Sequence, residues 1–329
     1  MHLSPVVDND IQSELHSLHE LPRDDIWFED GNIILQTDNA LFRVYSGLLA
    51  ARSSVFKDML AFPPPPEGNL ALDSCPVVRL YDATEDVRYF LNAIFDSGFF
   101  EPPPSKTELV IVAGVLRLST KYDVQYLRRR ALQHLSVTFP TTLEAWHQRD
   151  QTRTIPPVDN TPFAALQVAR EFDLPWIIPS IMYCISSHPL IKSIEGADWA
   201  GQKLRLCPDD LRTALLGREK LLMLQNRYSV SLAVPPEGIE GATTCCGDPK
   251  CIHTRQKIPE IVTGWTVACY LDFYREHDVL IDNGLCKTCH ISFVRRQQML
   301  SEEMWSALPF IFSLDDWMEL DREREKCWD

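Results

Sequence analysis

Hydrophobic periodicity defines a first ordered region, which we place at residues 22–140. The runs NIILQ and LFRVY favour β-strands, and the intervening TDNA supplies Asp38 and Asn39 for a tight connection. After Ser46 the apolar residues recur at helical spacing, and Ser53 or Ser54 is placed to cap a second helix. The pattern therefore predicts a β-hairpin followed by a pair of helices.

The rest of this region continues with one strand and three helices. Four prolines at 63–66 interrupt the helical pattern, and PVVRLYD at 76–82 predicts the next strand. Asp82 followed by Glu85 has the spacing of a capping box, and apolar residues then line one helical face. Two further helices are predicted at 107–122 and 123–139. The region is thus predicted to be α+β, with a small sheet flanked by helices.

The order of these segments resembles a BTB/POZ domain, of the type common in filamentous fungi. The resemblance is carried by FRV entering LLAARSSVF, by the strand that ends at Leu80–Asp82, and by LRLSTKYDVQYLRRRAL at 116–132. One departure is Tyr45, at a position where BTB domains often have histidine. The resemblance implies a protein-interaction module that forms a homodimer or binds a scaffold, in some members as a substrate adaptor for a cullin-type ubiquitin ligase.

The remaining sequence divides by composition. Residues 1–21 are polar and are predicted to be a flexible lead-in, and residues 141–160 a proline-containing linker. Residues 161–240 carry strong helical periodicity and predict a helical extension. Residues 241–329 are predicted to form a cysteine-rich helical module stabilised by zinc. Its core is expected to include the aromatic and leucine residues of the tail, Trp305, Leu308, Phe310, Phe312, Trp317 and Leu320.

Charge and composition narrow the classes of function. The 329-residue chain has a formal net charge of −14, which disfavours nucleic acid as a partner. It shows no secretory signal and no apolar stretch long enough for a membrane span, so we expect an intracellular protein, cytoplasmic or nuclear. In a reducing compartment its ten cysteines are expected to be thiols or metal ligands rather than disulfides.

The clustered cysteines predict a metal site. The stretch TTCCGDPKC is followed by NGLCKTCHISFVRR, in which a CxxC pair stands where a helix is expected to begin. Two separated thiolate pairs can surround zinc tetrahedrally, so we predict a structural zinc site at Cys246, Cys251, Cys286 and Cys289. The register stays open, because Cys245, His253 or His290 could replace one of these ligands. Free thiols are the second interpretation of the pattern and a redox dithiol the third.

The sequence contains no GxxxxGK[ST], GxGxxG, GxSxG or HExxH pattern, so we predict a protein that is not an enzyme. The first functional hypothesis is therefore protein–protein interaction through the BTB-like region, with a zinc-stabilised C-terminal half that recognises something else. The alternative is a zinc-containing BTB regulator of transcription or chromatin, which would require a basic surface around the cysteines.

Overall fold

The computed structural model describes residues 18–62, 71–235, 245–263, 271 and 273–328. The chain divides into two compact units, Met1–Leu135 with Thr154–Pro156 and Ser136–Arg153 with Pro157–Asp329. The first contains a five-stranded sheet and the second is mainly helical, which confirms the predicted mixed α+β class. Most of the expected lead-in and the four-proline loop lie outside the described residues. Within the described part, no helix combines the length and the hydropathy that a membrane span requires.

In the first unit, short strands are followed along the chain by helices. Strands β1 (Arg23–Trp27), β3 (Leu41–Val44), β2 (Ile33–Gln36), β5 (Cys75–Arg79) and β4 (Ala71–Leu72) lie side by side in that order. β2 and β3 form the predicted antiparallel hairpin, while β1 joins β3, and β5 joins β2, in parallel. The elements in chain order are β1 Arg23–Trp27, β2 Ile33–Gln36, β3 Leu41–Val44, α1 Ser46–Arg52, α2 Ser54–Ala61, β4 Ala71–Leu72, β5 Cys75–Arg79, α3 Thr84–Phe95, α4 Leu109–Lys121 and α5 Gln125–Thr138.

Of the helix caps predicted for α2 and α3, the first is present in the structure and the second is not. The Ser53 side chain accepts the Phe56 N–H at 3.0 Å and so caps α2, as predicted. The capping box at α3 was wrong, because the helix begins after Ala83 without a side-chain cap. Asp82 instead accepts hydrogen bonds from Lys121 at 2.6 Å and the Tyr122 hydroxyl at 2.5 Å. Long-range partners therefore hold the carboxylate that was expected to cap.

A buried histidine fastens a distant segment to the first unit. His134 on α5 is fully buried, and its Nε2 lies 2.8 Å from the Glu101 carbonyl. Because only a protonated Nε2 can donate to a carbonyl, the neutral ring accepts the Thr154 hydroxyl at Nδ1, 2.8 Å away. Thr154 also accepts the Thr107 N–H at 3.0 Å through its own carbonyl. These bonds explain why 154–156 belong to this unit.

The second unit is built from helices with one added hairpin. Ala200 and Gly201 connect β6 (Ala197–Trp199) and β7 (Gln202–Leu204) with positive φ angles of 47° and 76°, the conformation of a two-residue hairpin turn. This hairpin was not predicted from the sequence. The elements are α6 Leu143–Thr152, α7 Thr161–Glu171, a 3₁₀ turn Pro175–Ile177, α8 Ile178–Ser186, α9 Leu190–Glu195, β6 Ala197–Trp199, β7 Gln202–Leu204, α10 Pro208–Ala233, α11 Pro249–Thr263, α12 Phe273–Gly284, α13 Lys287–Ile311 and α14 Trp317–Trp328.

An aromatic cluster forms part of the core of this unit. Helix α6 lies inside the expected linker, and its Trp146 is buried 5.2 Å from the Tyr183 ring and 5.5 Å from the Trp305 ring. Trp317 stacks on Trp305 at 5.3 Å. The tail residues therefore pack on the segment expected to be a linker. Phe310, expected in the core, is 63% exposed.

Helices α10 and α13 approach closely at a glycine. Gly217 on α10 faces the ring of Phe312, which directly follows α13. A Cβ placed on Gly217 would lie 2.3 Å from the nearest atom of that ring, which is well inside van der Waals contact. The fully buried Phe312 cannot move without disturbing its surroundings. The absence of a side chain at Gly217 therefore sets the separation of the two helix segments.

We expect Gly217→Ala to destabilise the second unit by about 1–3 kcal/mol, because overpacking outweighs the better helix propensity of alanine. Gly47→Ala is the matched control, since no atom lies within 4 Å of a Cβ at that helical position. It should be neutral or stabilising by up to about 1 kcal/mol. Thermal unfolding of both variants checks this, and an unchanged midpoint for Gly217→Ala would contradict the assigned contact.

Candidate metal centre

Four cysteine side chains come together in the second unit. The Sγ atoms of Cys245, Cys251, Cys286 and Cys289 all lie within 4.8 Å of one another. The Sγ atoms of Cys245 and Cys251 are 3.8 Å apart. A tetrahedral ion with metal–sulfur bonds of about 2.3 Å places its sulfurs about 3.8 Å apart, so the group has the dimensions of a tetrathiolate site. These four residues could hold a metal ion.

Two helix N-termini supply three of the four thiols. Cys251 is the third residue of α11, Cys289 is the third residue of α13, and Cys286 is the residue that precedes α13. The first turn of a helix leaves backbone N–H groups without partners in the helix and carries a partial positive charge. Both helices therefore favour negative charge at the place where these thiols lie.

Backbone N–H groups also donate to the sulfurs. The Cys286 N–H donates to the Cys251 Sγ at 3.3 Å, which joins the two helix starts. Gly247 has a φ of +74°, a left-handed conformation that favours glycine, and its backbone N–H donates to the Cys245 thiol. The glycine turn therefore brings a backbone donor to the Cys245 thiol.

A second close helix contact brings the CxxC pair to Cys251. Gly284, the last residue of α12, packs against Thr254 on α11. A Cβ at Gly284 would lie 2.3 Å from the Thr254 Oγ1. Thr254 follows Cys251 by three residues and Gly284 precedes Cys286 by two, so this contact is adjacent to the thiols. A side chain at Gly284 would force the helices, and with them the ligands, apart.

Arg255 provides a positive charge beside the thiols. Its Nη2 lies 3.8 Å from the Cys245 Sγ, and its Nη1 lies 3.5 Å from the Ala233 carbonyl at the end of α10. A tetrathiolate bound to a divalent ion has a net charge of −2, which the guanidinium partly offsets. The same side chain ties Cys245 to the preceding helix.

Without a metal the thiols differ in acidity. Burial works to raise the pKa of Cys286, but N–H donors from Cys246 and Cys289 and the neighbouring thiols lower it to about 6. Burial raises the pKa of Cys289, as do its hydrogen bonds to the thiols of Cys245, Cys286 and Cys251. Burial also raises the pKa of Cys251. Metal binding must displace protons from these two buried thiols, so affinity should fall as the pH is lowered.

The structure brings together three of the four predicted ligands, Cys251, Cys286 and Cys289. The fourth member of the group is Cys245, in place of the predicted Cys246. Cys246 is exposed and its Sγ accepts the Asp248 N–H at 3.4 Å. His253 is exposed, and the Nε2 of His290 lies 2.8 Å from Asp282 Oδ1. Neither histidine is in the group. The roles of Arg255 and Gly284 beside the thiols were not predicted, although both residues lie close in sequence to the predicted cysteine ligands.

A scan against protein-family models and a search of curated proteins found no match for this chain.

We expect Cys245→Ser to weaken metal binding by at least about tenfold, because a hydroxyl replaces one thiolate ligand. Cys246→Ser should leave the metal content and affinity unchanged. Metal per chain by elemental analysis, followed by competition with a chromogenic chelator, measures both variants. Loss of metal from Cys246→Ser with retention in Cys245→Ser would show that the adjacent cysteine is the ligand.

Proposed function

We propose that this chain is a non-enzymatic protein-interaction protein whose C-terminal part is held together by a structural zinc ion. The single observation that carries the zinc proposal is the convergence of Cys245, Cys251, Cys286 and Cys289 within 4.8 Å. Four thiolates fill a tetrahedral shell and leave no position for a water or a substrate, which is the arrangement of structural zinc sites. Zinc chemistry on a substrate would need an open position.

The interaction role is assigned to the first unit. Its described elements include the predicted hairpin, helix pair, strand and three further helices in that order, to which the structure adds β1 and β4. This order is the support for the BTB resemblance. We propose that this unit forms a homodimer or binds a scaffold, and that the chain is a substrate adaptor for a cullin-type ubiquitin ligase. The formal net charge of −14 favours a protein partner over nucleic acid. It therefore also favours the adaptor role over regulation of transcription or chromatin.

Removal of zinc tests the structural role. Zinc joins the starts of α11 and α13 to Cys245, so a strong chelator should accelerate backbone hydrogen exchange in 249–263 and 287–300. The strands at 33–36 and 41–44 in the other unit are the internal control and should keep their protection. Equal protection in the metal-free and metal-bound chain would contradict a structural role for the ion.

Self-association and capture test the interaction role. Light scattering of the full chain should give twice the 37.7 kDa mass of one chain. In a separate experiment, the tagged chain should capture a cullin from a cell extract. Cys251→Ser is the control, because it disturbs the metal site and leaves the first unit intact. It should still dimerise. A strictly monomeric wild type, or a dimer lost in this variant, would contradict dimerisation through the BTB-like unit.

A further inference from the structure

Helix α10 carries apolar side chains on two opposite faces. On the inner face Ala214, Leu221 and Tyr228 repeat at seven-residue spacing and are at most 3% exposed. Two residues after each of them stands an exposed apolar residue, and these three form the outer stripe, Leu216, Met223 and Val230. The exposed fractions in the outer stripe are 46%, 68% and 58%. Because two residues advance about 200° around a helix, the outer stripe points away from the core.

The outer stripe has the character of an interaction surface. The outer face of a surface helix is ordinarily polar, and a row of large apolar side chains exposed there marks a place where another protein binds. The stripe runs from Leu216 to Val230, about 21 Å along the helix axis. Among the described residues, no segment covers it, as the exposure of its three members shows.

The inner face of α10 is fastened at several points, so the outer stripe is preformed. Near the start of the helix, the Arg170 Nη2 donates to the Asp210 carboxylate at 2.7 Å. Further along, the buried Arg218 donates to the carbonyls of Ser186 and His188 at 2.9 and 2.7 Å. A partner that binds here need not order the helix first, which lowers the entropic cost of association.

The charges on the outer face are arranged symmetrically about Met223 and are opposite in sign. Glu219 precedes Met223 by four residues and Arg227 follows it by four, while Leu216 and Val230 stand seven residues before and after it. If two copies of α10 pair antiparallel about a two-fold axis at Met223, Glu219 of each copy lies level with Arg227 of the other. Parallel pairing would put like charges level with each other, which is unfavourable.

The neighbouring charges are compatible with antiparallel pairing. Lys220, three residues before the axis, lies level with the uncharged Asn226 of the second copy. Within its own chain Arg227 contacts Glu303 at 3.9 Å, and these side chains are 71% and 53% exposed. A long, exposed ion pair contributes little to stability, so Arg227 can turn to Glu219 of the second copy at small cost.

We propose that the outer stripe of α10 docks against the outer stripe of a second copy of this chain, antiparallel and centred on Met223. Leu216 of each copy then packs level with Val230 of the other, and Met223 meets its own counterpart. Charge complementarity favours a second copy as the occupant, because the charges beside the stripe complement those beside an identical, reversed stripe.

The size of the stripe defines what this contact does. A strip about 21 Å long and one helix wide, about 10 Å, covers far less than the roughly 800 Å² per partner of a stable interface. The contact is therefore weak by itself. It strengthens the association of copies that another contact already holds together, because their effective concentration is high.

The experiment measures self-association of the full chain by sedimentation over a series of concentrations. Met223→Glu brings two carboxylates together at the two-fold axis and should raise the dissociation constant at least about tenfold. Glu219→Arg and Arg227→Glu should each weaken association, and the double variant should recover most of the wild-type affinity because opposite charges again lie level. Val279→Glu is the matched control, since Val279 is 70% exposed on α12 and lies outside the stripe. It should associate as wild type does.

A photo-reactive amino acid at position 223 locates the contact. When isotope-labelled and unlabelled chains are mixed and exchange subunits, the tryptic peptide 221–227 of one copy should be cross-linked to the same peptide of the other. Equal affinity of Met223→Glu and wild type, or a cross-link only outside α10, would overturn the proposal and leave the stripe to a different partner.

Two further outcomes separate this contact from dimerisation through the first unit. A wild type that stays monomeric at every concentration overturns both proposals. Complete loss of the dimer in Met223→Glu, with recovery in the charge-swapped double variant, upholds the α10 contact and contradicts dimerisation through the first unit.

Discussion

The convergence of two helix starts on one group of sulfurs is the constraint on which the end of the second unit depends. Cys251 and Cys289 occupy equivalent third positions of α11 and α13. Thiolates this close repel one another strongly unless a cation lies between them, while neutral thiols would provide only weak hydrogen bonds. The helix dipoles, the N–H donors and Arg255 reduce the repulsion, and a divalent ion would turn it into attraction. The arrangement of the four sulfurs is therefore electrostatically favourable when a divalent ion lies between them.

Helix α13 transmits this constraint to the rest of the unit. It begins at the thiol group and runs for 25 residues, a length of roughly 38 Å, through Trp305 to the segment before Phe312. One rigid helix thus joins the thiols to the aromatic cluster around Trp146 and to the Gly217 contact. Fixing the start of this helix also fixes the register of side chains that pack far from the metal site.

Local sequence signals predicted the features that depend on neighbouring residues. The Ser53 cap was predictable because its acceptor and donor are three residues apart in one turn. The contacts that Asp82 makes instead of a cap were not predictable, because its partners Lys121 and Tyr122 lie 39 and 40 residues away in the chain. The parallel pairing of β1 with β3 is likewise non-local. Phe310 is apolar yet faces solvent, because at helical spacing it lies on the side of α13 opposite to the buried Met304, Leu308 and Ile311.

The choice between two adjacent cysteines shows why ligand identity needs the fold. Cys245 and Cys246 have the same chemistry and nearly the same spacing to Cys251, so the sequence permits either. Successive side chains in a non-helical segment point in different directions, and only one of them can face the group. In the folded chain Cys245 joins the group, while Cys246 is exposed to solvent. The fourth member of the group is therefore set by the backbone conformation around Cys245 and Cys246, which the residue types alone do not specify.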